Sequence, residues 1–565
     1  MPPTEEANTK DAAATTVVQP LDAPQDGPGS GVEEPISKPD IAPQYVTGFK
    51  LGVIVASVAL GCFLMLVDTM VISTAIPQIT DEFLSLTDVG WYASAYQFGM
   101  HVAPNSAPQP LIGKVYTHFR TKWTFLVCFA VFELGSVLCG AAVSSTMLII
   151  GRAVAGLGAA GIINGAITIV SSCVPLEKRP IQQLGLVVGP LIGGAFTSYS
   201  TWRWSFYINL PIGVLVVLGI VLLPIPEQTP KAKARSVLPK LPQHLDLVGF
   251  ALFAPAVIML LLALQYGGVR YAWDSSQVIG LFCGAAATSA VWFIWNYRKG
   301  DSALLPPAMI RRRTVWTAAT FNAFQMAAIY GALYYLPIYF QAIKDTSAIL
   351  SGVYIMPTFL PQLLMAGLSG GILQKMGYVI PLGVFATILL STGSGLLSTL
   401  QPDSSVGMWV GYQIMTGIGS GAGLQLAILA IQGVTTGEEL SSGMAFMVFT
   451  QSLAPAVILT LCNVILVENL KIQIPQQAPG VDPGAVIRAG ATGFRGIVAA
   501  EHLPRVLVAY ANSLDRVFYL VAACAAVSFV FLWGMGWQDL RKKNEGVGSS
   551  AGEGGTKVCD EKLEA

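Results

Sequence analysis

Fourteen stretches of about 20 predominantly apolar residues follow one another along this chain, near 50–74, 91–111, 124–143, 146–171, 181–199, 205–224, 247–267, 276–296, 315–340, 351–372, 379–399, 407–431, 442–466 and 516–537. A helix of about 20 residues is what it takes to cross the hydrocarbon layer of a bilayer. The expected fold class is therefore all-α and integral to a membrane, with 14 transmembrane helices and lipid as the surrounding medium. Composition supports this where it bears on it: charged residues make up 11% of the chain and mean hydropathy is +0.61, whereas a soluble domain carries about 25% charged residues. A soluble enzyme, a disordered chain and a nucleic-acid binder with a basic face are all excluded.

The ends differ from the middle. Residues 1–45 are polar and rich in Pro, Ala, Thr and acids, without the basic start and short apolar run of a secretory signal, and they read as a disordered tail. The stretch from Gln538 is polar again and basic at Arg541, Lys542 and Lys543. An even number of spans puts both tails on one face. That face collects 23 Lys and Arg against 8 on the other, with Arg152 inside a span, which predicts that both termini are cytoplasmic. The expected organisation is a tail over 1–45, a first half over 46–224, a cytoplasmic loop over 225–246, two extra spans over 247–296, a second half over 297–537 and a tail over 538–565. An external loop over 467–514, Pro- and Gly-rich at first, reads as a lid or as short amphipathic helices with no chemistry of its own.

A weak repeat ties the halves together. The stretch GRAVAGLGAAG from Gly151 resembles YQIMTGIGSGA from Tyr412 at an offset of 261, which pairs Arg152 with Gln413, Asn164 with Gln425, Gly156 with Gly417 and Gly158 with Gly419. Gly113-Lys114 before span 3 echoes Gly371 to Gly377 before span 11. Two six-span halves with two spans between them fit this pattern, as in transporters built from parallel repeats.

Cofactor chemistry has no foothold. Eight cysteines are scattered without a C-x-x-C, and four histidines (101, 118, 244, 502) make no ligand spacing. No metal and no other cofactor is implied, and no His/Cys/acid group stands at the spacing of a catalytic triad. Gly156 to Gly161 fits G-x-G-x-x-G letter for letter, but it lies inside an apolar span, where small residues serve close helix packing rather than a dinucleotide.

The charges inside spans are few. Asp68 in span 1 would cost about 2.5–3.5 kcal/mol on insertion scales if left ionised and alone. Desolvation favours the neutral form of such a carboxyl and a nearby cation favours the charged one. It reads as a proton carrier or as a permanently neutral or capping acid near the interface. Glu133 in span 3 is a second protonation site or an acid paired with a polar neighbour. Arg152 in span 4 needs carboxylate or carbonyl acceptors, unless it snorkels to the interface. Gly185, Gly189 and Gly193 line one helical face that Pro190 kinks, a pattern for close helix contact.

Several of these stretches also resemble a known family. They are Leu66-Val67-Asp68-Thr69-Met70-Val71-Ile72 with Ala75-Ile76-Pro77, Gly113-Lys114-Val115-Tyr116 through Lys122-Trp123, Gly151-Arg152-Ala153-Val154-Ala155-Gly156, the run from Gly185 to Gly194, and the run from Trp202 to Gly213 (WRWSFYINLPIG). From about 45 to 540 the chain resembles the 14-span drug:proton antiporters of the major facilitator superfamily, in the branch of fungal toxin and multidrug efflux pumps. The resemblance implies the major facilitator fold: two six-helix halves plus two linker spans, with a midplane cavity between the halves. It implies export of hydrophobic or amphipathic small molecules, such as drugs, toxins or secondary metabolites, in exchange for protons. It also implies a monomer in the plasma membrane, with a vacuolar or vesicle membrane as the alternative. Asp68, Glu133 and Arg152 would handle the proton, and Gly185, Gly189, Pro190, Gly193 and Gly194 would form the antiporter motif. The second half carries polar but uncharged residues inside its spans, Gln325, Tyr334, Tyr335, Gln413, Gln425 and Gln451, which with Asn164 are the candidates for the substrate path. A nutrient or siderophore importer and a non-transporting sensor are the competing readings.

Two segments depart from the family pattern. Span 2 runs through Tyr96 to Pro110 with three prolines within seven residues, enough to kink or break a helix. Span 5 has lost its cytoplasmic lead-in, and 19 residues from Ile181 to Tyr199 give about 28 Å of helix. Thr117 and Arg120 flank His118 where most of the superfamily carries an acid.

Overall fold

The computed structural model describes residues 49–102, 116, 119–173, 200–223, 225, 247–268, 271–300, 311–435 and 438–537. Among them the regular structure is helical, with an isolated bridge between Gly267 and Tyr271, and eleven helices are long and apolar enough to cross a membrane. In chain order the principal helices are α1 (Phe49–Phe83), α2 (Val89–Val102), α3 (Thr121–Gly140), α4 (Ser145–Cys173), α5 (Asn209–Leu222), α6 (Leu247–Tyr266), α7 (Ser276–Lys299), α8 (Arg313–Ile338), α9 (Met356–Met376), α10 (Val379–Leu397), α11 (Val406–Gly423), α12 (Glu438–Gln477) and α13 (Leu503–Leu532). The expected fifth span, 181–199, and most of the 225–246 loop lie outside the described residues.

Helix ends follow local chemistry. Ser275 caps α7 by accepting from the Val278 N–H, while Arg298 and Lys299 sit in its last turn, where cations complement the helix dipole. Gly377, at φ +77°, closes α9 in the left-handed conformation that glycine adopts without strain. The apolar run of span 1 suggests an end near residue 74, but α1 continues through Pro77 to Phe83. Ser73, Thr74 and Thr80 donate their hydroxyls to the carbonyls of Met70, Val71 and Pro77 at 2.7, 3.2 and 2.8 Å. Side-chain hydroxyls of this kind are part of how spans tolerate proline.

The repeat is visible in packing. A side chain at Gly158 of α4 would meet the Phe132 backbone of α3, and one at Gly419 of α11 would meet the Leu390 backbone of α10. In both halves a glycine lets two helices approach to backbone contact.

α1 begins and α13 ends on one face, the tail face, where Lys122 donates to the Val221 and Leu223 carbonyls and Tyr378 meets Trp537. The segment joining α12 to α13 lies on the opposite, loop face. The apolar core divides accordingly. On the loop face one cluster runs through both halves, from Met70, Ile72, Ala75 and Ile76 of α1 to Tyr335, Leu459 and Val517 of the second half. On the tail face two clusters stay within their own halves, one around Ile54, Phe125 and Ile162, the other around Phe321, Leu382 and Leu426. Polar contacts agree: Asn463 of α12 donates to the Thr87 carbonyl at 2.5 Å, and Gln341, in the π-helical turn that follows α8, donates to the Thr74 carbonyl at 3.1 Å. Among the described residues, then, the halves are joined on the loop face. Helix α6 packs beside α12, with Phe253 against Phe449 at 5.3 Å.

Candidate functional site

Asp68 stands near the middle of α1, 15 residues before its end. Arg152 projects from α4, two turns from its start. Its Nη1 donates to Asp68 Oδ2 at 2.6 Å, and both side chains are fully buried at 0% exposure. Nη1 also donates to the Asp68 carbonyl and Nε to the Tyr92 carbonyl, each at 3.2 Å. The guanidinium lies 4.1 Å over the Tyr96 ring and 5.9 Å from that of Phe206. Asn209 donates to Asp68 Oδ1 at 3.4 Å and to Ser136 Oγ at 3.0 Å. Two charges removed from water persist only when paired and hydrogen-bonded, and here they are. A snorkelling arginine does not describe this arrangement, since Arg152 is fully buried.

Close helices make the pocket for the pair. A side chain at Gly99 of α2 would meet the Ala153 backbone of α4, and one at Gly135 of α3 would meet the Ala155 backbone. These glycines draw α2, α3 and α4 together around the base of Arg152. Tyr334 of α8 reaches the pair from the other half. Its hydroxyl donates to the Thr69 carbonyl at 3.2 Å and stands beside the Arg152 guanidinium.

Glu133 is not part of this pair. Its carboxylate oxygens are buried without a hydrogen-bond partner among the described residues, and they occupy the space that a side chain at Gly213 of α5 would take. The substrate-path candidates separate into groups. Gln325 is buried with its amide atoms unpartnered, against Gly423, and Asn322 on the same helix donates to Gln451 at 2.9 Å. Asn164 bonds the Ala160 carbonyl of its own helix at 2.9 Å. Tyr335 donates to the Leu459 carbonyl at 3.4 Å, and Gln413 accepts from Thr358 and donates to the Tyr354 carbonyl, both at 2.9 Å. The main-chain carbonyl of Gln425 accepts from the Leu429 N–H at 3.1 Å, at the start of the short helix Leu426–Val434. Gly185, Gly189, Pro190, Gly193 and Gly194 lie outside the described residues. Reading the sequence missed Asn209, Ser136 and Tyr96. Asn209, a lone amide entering an apolar run, carried a signal; Ser136 and Tyr96 carried none. Among the described residues no three His, Cys, Asp or Glu side chains stand close enough to hold a metal ion.

Helices paired by repeat around a buried ion pair match a known sequence profile, that of the Major Facilitator Superfamily, over residues 58–459. The chain belongs to this superfamily. The MFS-type transporter pigP of Monascus ruber is 51% identical over 529 residues, covering 92% of either chain. The efflux pump mlcE of Penicillium citrinum is 45% identical over 522 residues, covering 89% of this chain and 93% of its own. Solved facilitators share the fold. A bacterial homologue of the human lysosomal transporter Spinster superposes with a TM-score of 0.58 at 16% identity, over 87% of this chain and 97% of that one. A D-xylose–proton symporter does so with 0.55 at 13% identity, over 87% and 99%. This facilitator is thus a multi-pass membrane protein of a superfamily that moves small molecules across bilayers.

Proposed function

We propose that this facilitator exports hydrophobic or amphipathic small molecules in exchange for protons, with Asp68 carrying the proton and Arg152 as its counter-charge. The observation that carries the reading is the fully buried Asp68–Arg152 pair, touched from the second half by Tyr334. Relatives named as efflux pumps support the direction of transport. A proton on Asp68 cancels the charge that Arg152 balances. The carbonyls of Tyr92 and Asp68 and the Tyr96 ring remain to the arginine, but none of them carries a full negative charge. The protonated and deprotonated states therefore favour different packing around α1 and α4, and coupling requires that differential affinity. Tyr334, bonded one residue along from Asp68, passes the difference to α8.

Gln325, with an unpartnered amide, and the Asn322–Gln451 pair are the proposed substrate contacts of the second half, and Asn164 is the proposed contact of the first. Glu133 is proposed as a second proton-holding carboxyl, and Gly185, Gly189, Pro190, Gly193 and Gly194 as the antiporter motif. The proposed membrane topology has 14 spans, with the tail face cytoplasmic, the loop face external and the plasma membrane as the site.

The test is retention of a fluorescent lipophilic dye in efflux-deficient cells at equal membrane expression. The native chain lowers retention, and both Asp68→Asn and collapse of the proton gradient restore it. Export by Asp68→Asn at the native rate would overturn proton carriage by Asp68. Export that survives collapse of the gradient would overturn the coupling.

A further inference from the structure

The segment between α12 and α13 does more than cover the loop face. Asp482 caps the short helix Pro483–Arg488 by accepting from the Gly484 and Ala485 N–H groups. The chain then turns at Gly490, φ +92°, and presents three successive N–H groups to the end of α1. Ala491 N–H donates to Thr80 Oγ1 at 3.1 Å; Thr492 and Gly493 N–H donate to Asp81 Oδ1 at 3.0 and 3.1 Å. The Thr492 hydroxyl donates to Asp81 Oδ2. Gly490 is fixed by more than its torsion, because a side chain there would meet the Asp81 backbone N and Cα at 2.7 Å.

The same segment is fastened to the second half. Arg495 donates to the Ala342 and Ile343 carbonyls at 3.0 and 2.9 Å and pairs with Asp345 at 3.4 Å. The Phe494 ring stacks on Tyr510 of α13 at 5.2 Å. One end of this strap therefore belongs to the second half, and the other grips a carboxylate of the first.

We propose that Asp81 and the Gly490–Gly493 turn form the latch of the loop-face gate, and that the turn must release the carboxylate each time the halves part on that face. The charge-assisted bonds to Asp81 lie in the last turn of α1, beside the Ala491 and Phe494 members of the apolar cluster that joins the halves, so that cluster cannot open on this face while the turn still holds the carboxylate. The proposal rests on the export reading only in supposing that the halves separate on this face, and its test reads gate opening rather than transport.

Ala75 of α1 is fully buried in the joining cluster. Ala75→Cys is introduced into the full-length chain, and the rate of its modification by a membrane-impermeant thiol reagent is measured above the baseline of the chain without it. Asp81→Ala in that background removes all three bonds and raises the rate by at least about tenfold, the factor expected for losing even one hydrogen bond to a charged group; the isosteric Asp81→Asn raises it by less. An unchanged rate in both overturns the latch. If Asp81→Ala does not reach the membrane, Asp81→Asn alone decides. A disulfide between Asp81→Cys and Thr492→Cys is expected to drop labelling of the thiol introduced by Ala75→Cys below that of the native latch until the disulfide is reduced. Labelling that continues through the disulfide overturns the proposal, even in a chain that exports no dye.

Discussion

The two halves make the same bond with different chemistry. In the first, Arg152 of α4 donates to the Tyr92 carbonyl at the start of α2. In the second, at the equivalent place 261 residues on, Gln413 of α11 donates to the Tyr354 carbonyl. The scaffold role, a long polar side chain pinning two helices, is common to both. What differs is the third partner: a carboxylate for Arg152, the Thr358 hydroxyl for Gln413. One half thus holds a bond that a single proton can switch, and the other holds a neutral copy that no proton changes. The geometry is shared between the halves, and charge in one of them supplies the proposed coupling.

Breaking that asymmetry gives the largest expected effect. Arg152→Gln makes the first half resemble the second but strands the buried Asp68 carboxylate, which costs about 3–5 kcal/mol and appears as a lowered midpoint in thermal unfolding of the purified chain. Adding Asp68→Asn recovers most of that loss without recovering dye export. Next, Gly158→Val and Gly419→Val each press a side chain into the facing backbone, and overpacking of this kind costs about 1–3 kcal/mol. Similar losses in the two variants support equivalent packing in the halves; a clear inequality breaks the repeat.

Of the same order, Gln413→Ala leaves the Tyr354 carbonyl and Thr358 without their partner, at about 1–3 kcal/mol, while dye export stays dependent on the proton gradient. Loss of that dependence would show that the neutral half takes part in coupling. The smallest change in stability is expected for Tyr334→Phe, about 0.5–1.5 kcal/mol. There the export rate falls while the half-saturating dye concentration holds, and an unchanged rate removes Tyr334 from the path between the halves.

Much of the helical layout was legible because apolar runs of this length have few other uses, and Asp68 and Arg152 stood out because charge is costly where they lie. The length of α1 was not legible: it carries Gln78, Thr80 and Asp81 in its last turns, so hydropathy ended the helix too early. The bond of Tyr334 to α1 was not legible because nothing local marks a hydroxyl that bonds a carbonyl 265 residues away. The grip on Asp81 was invisible for a further reason. Most of its donors are backbone N–H groups about 411 positions along the chain, and a backbone donor leaves no trace in residue identity beyond the glycines that shape the turn.

The length of α1 has a mechanical consequence. Its 35 residues make a rod of about 52 Å, longer than the roughly 40–45 Å of a bilayer with its headgroups. Asp81 lies about 20 Å along that rod from Asp68, so a tilt of about 10° pivoting near the ion pair swings the tip by about 3.5 Å, beyond what a hydrogen bond tolerates. A tilt of that size would be enough to turn a charge change at Asp68 into a broken contact at the tip of α1.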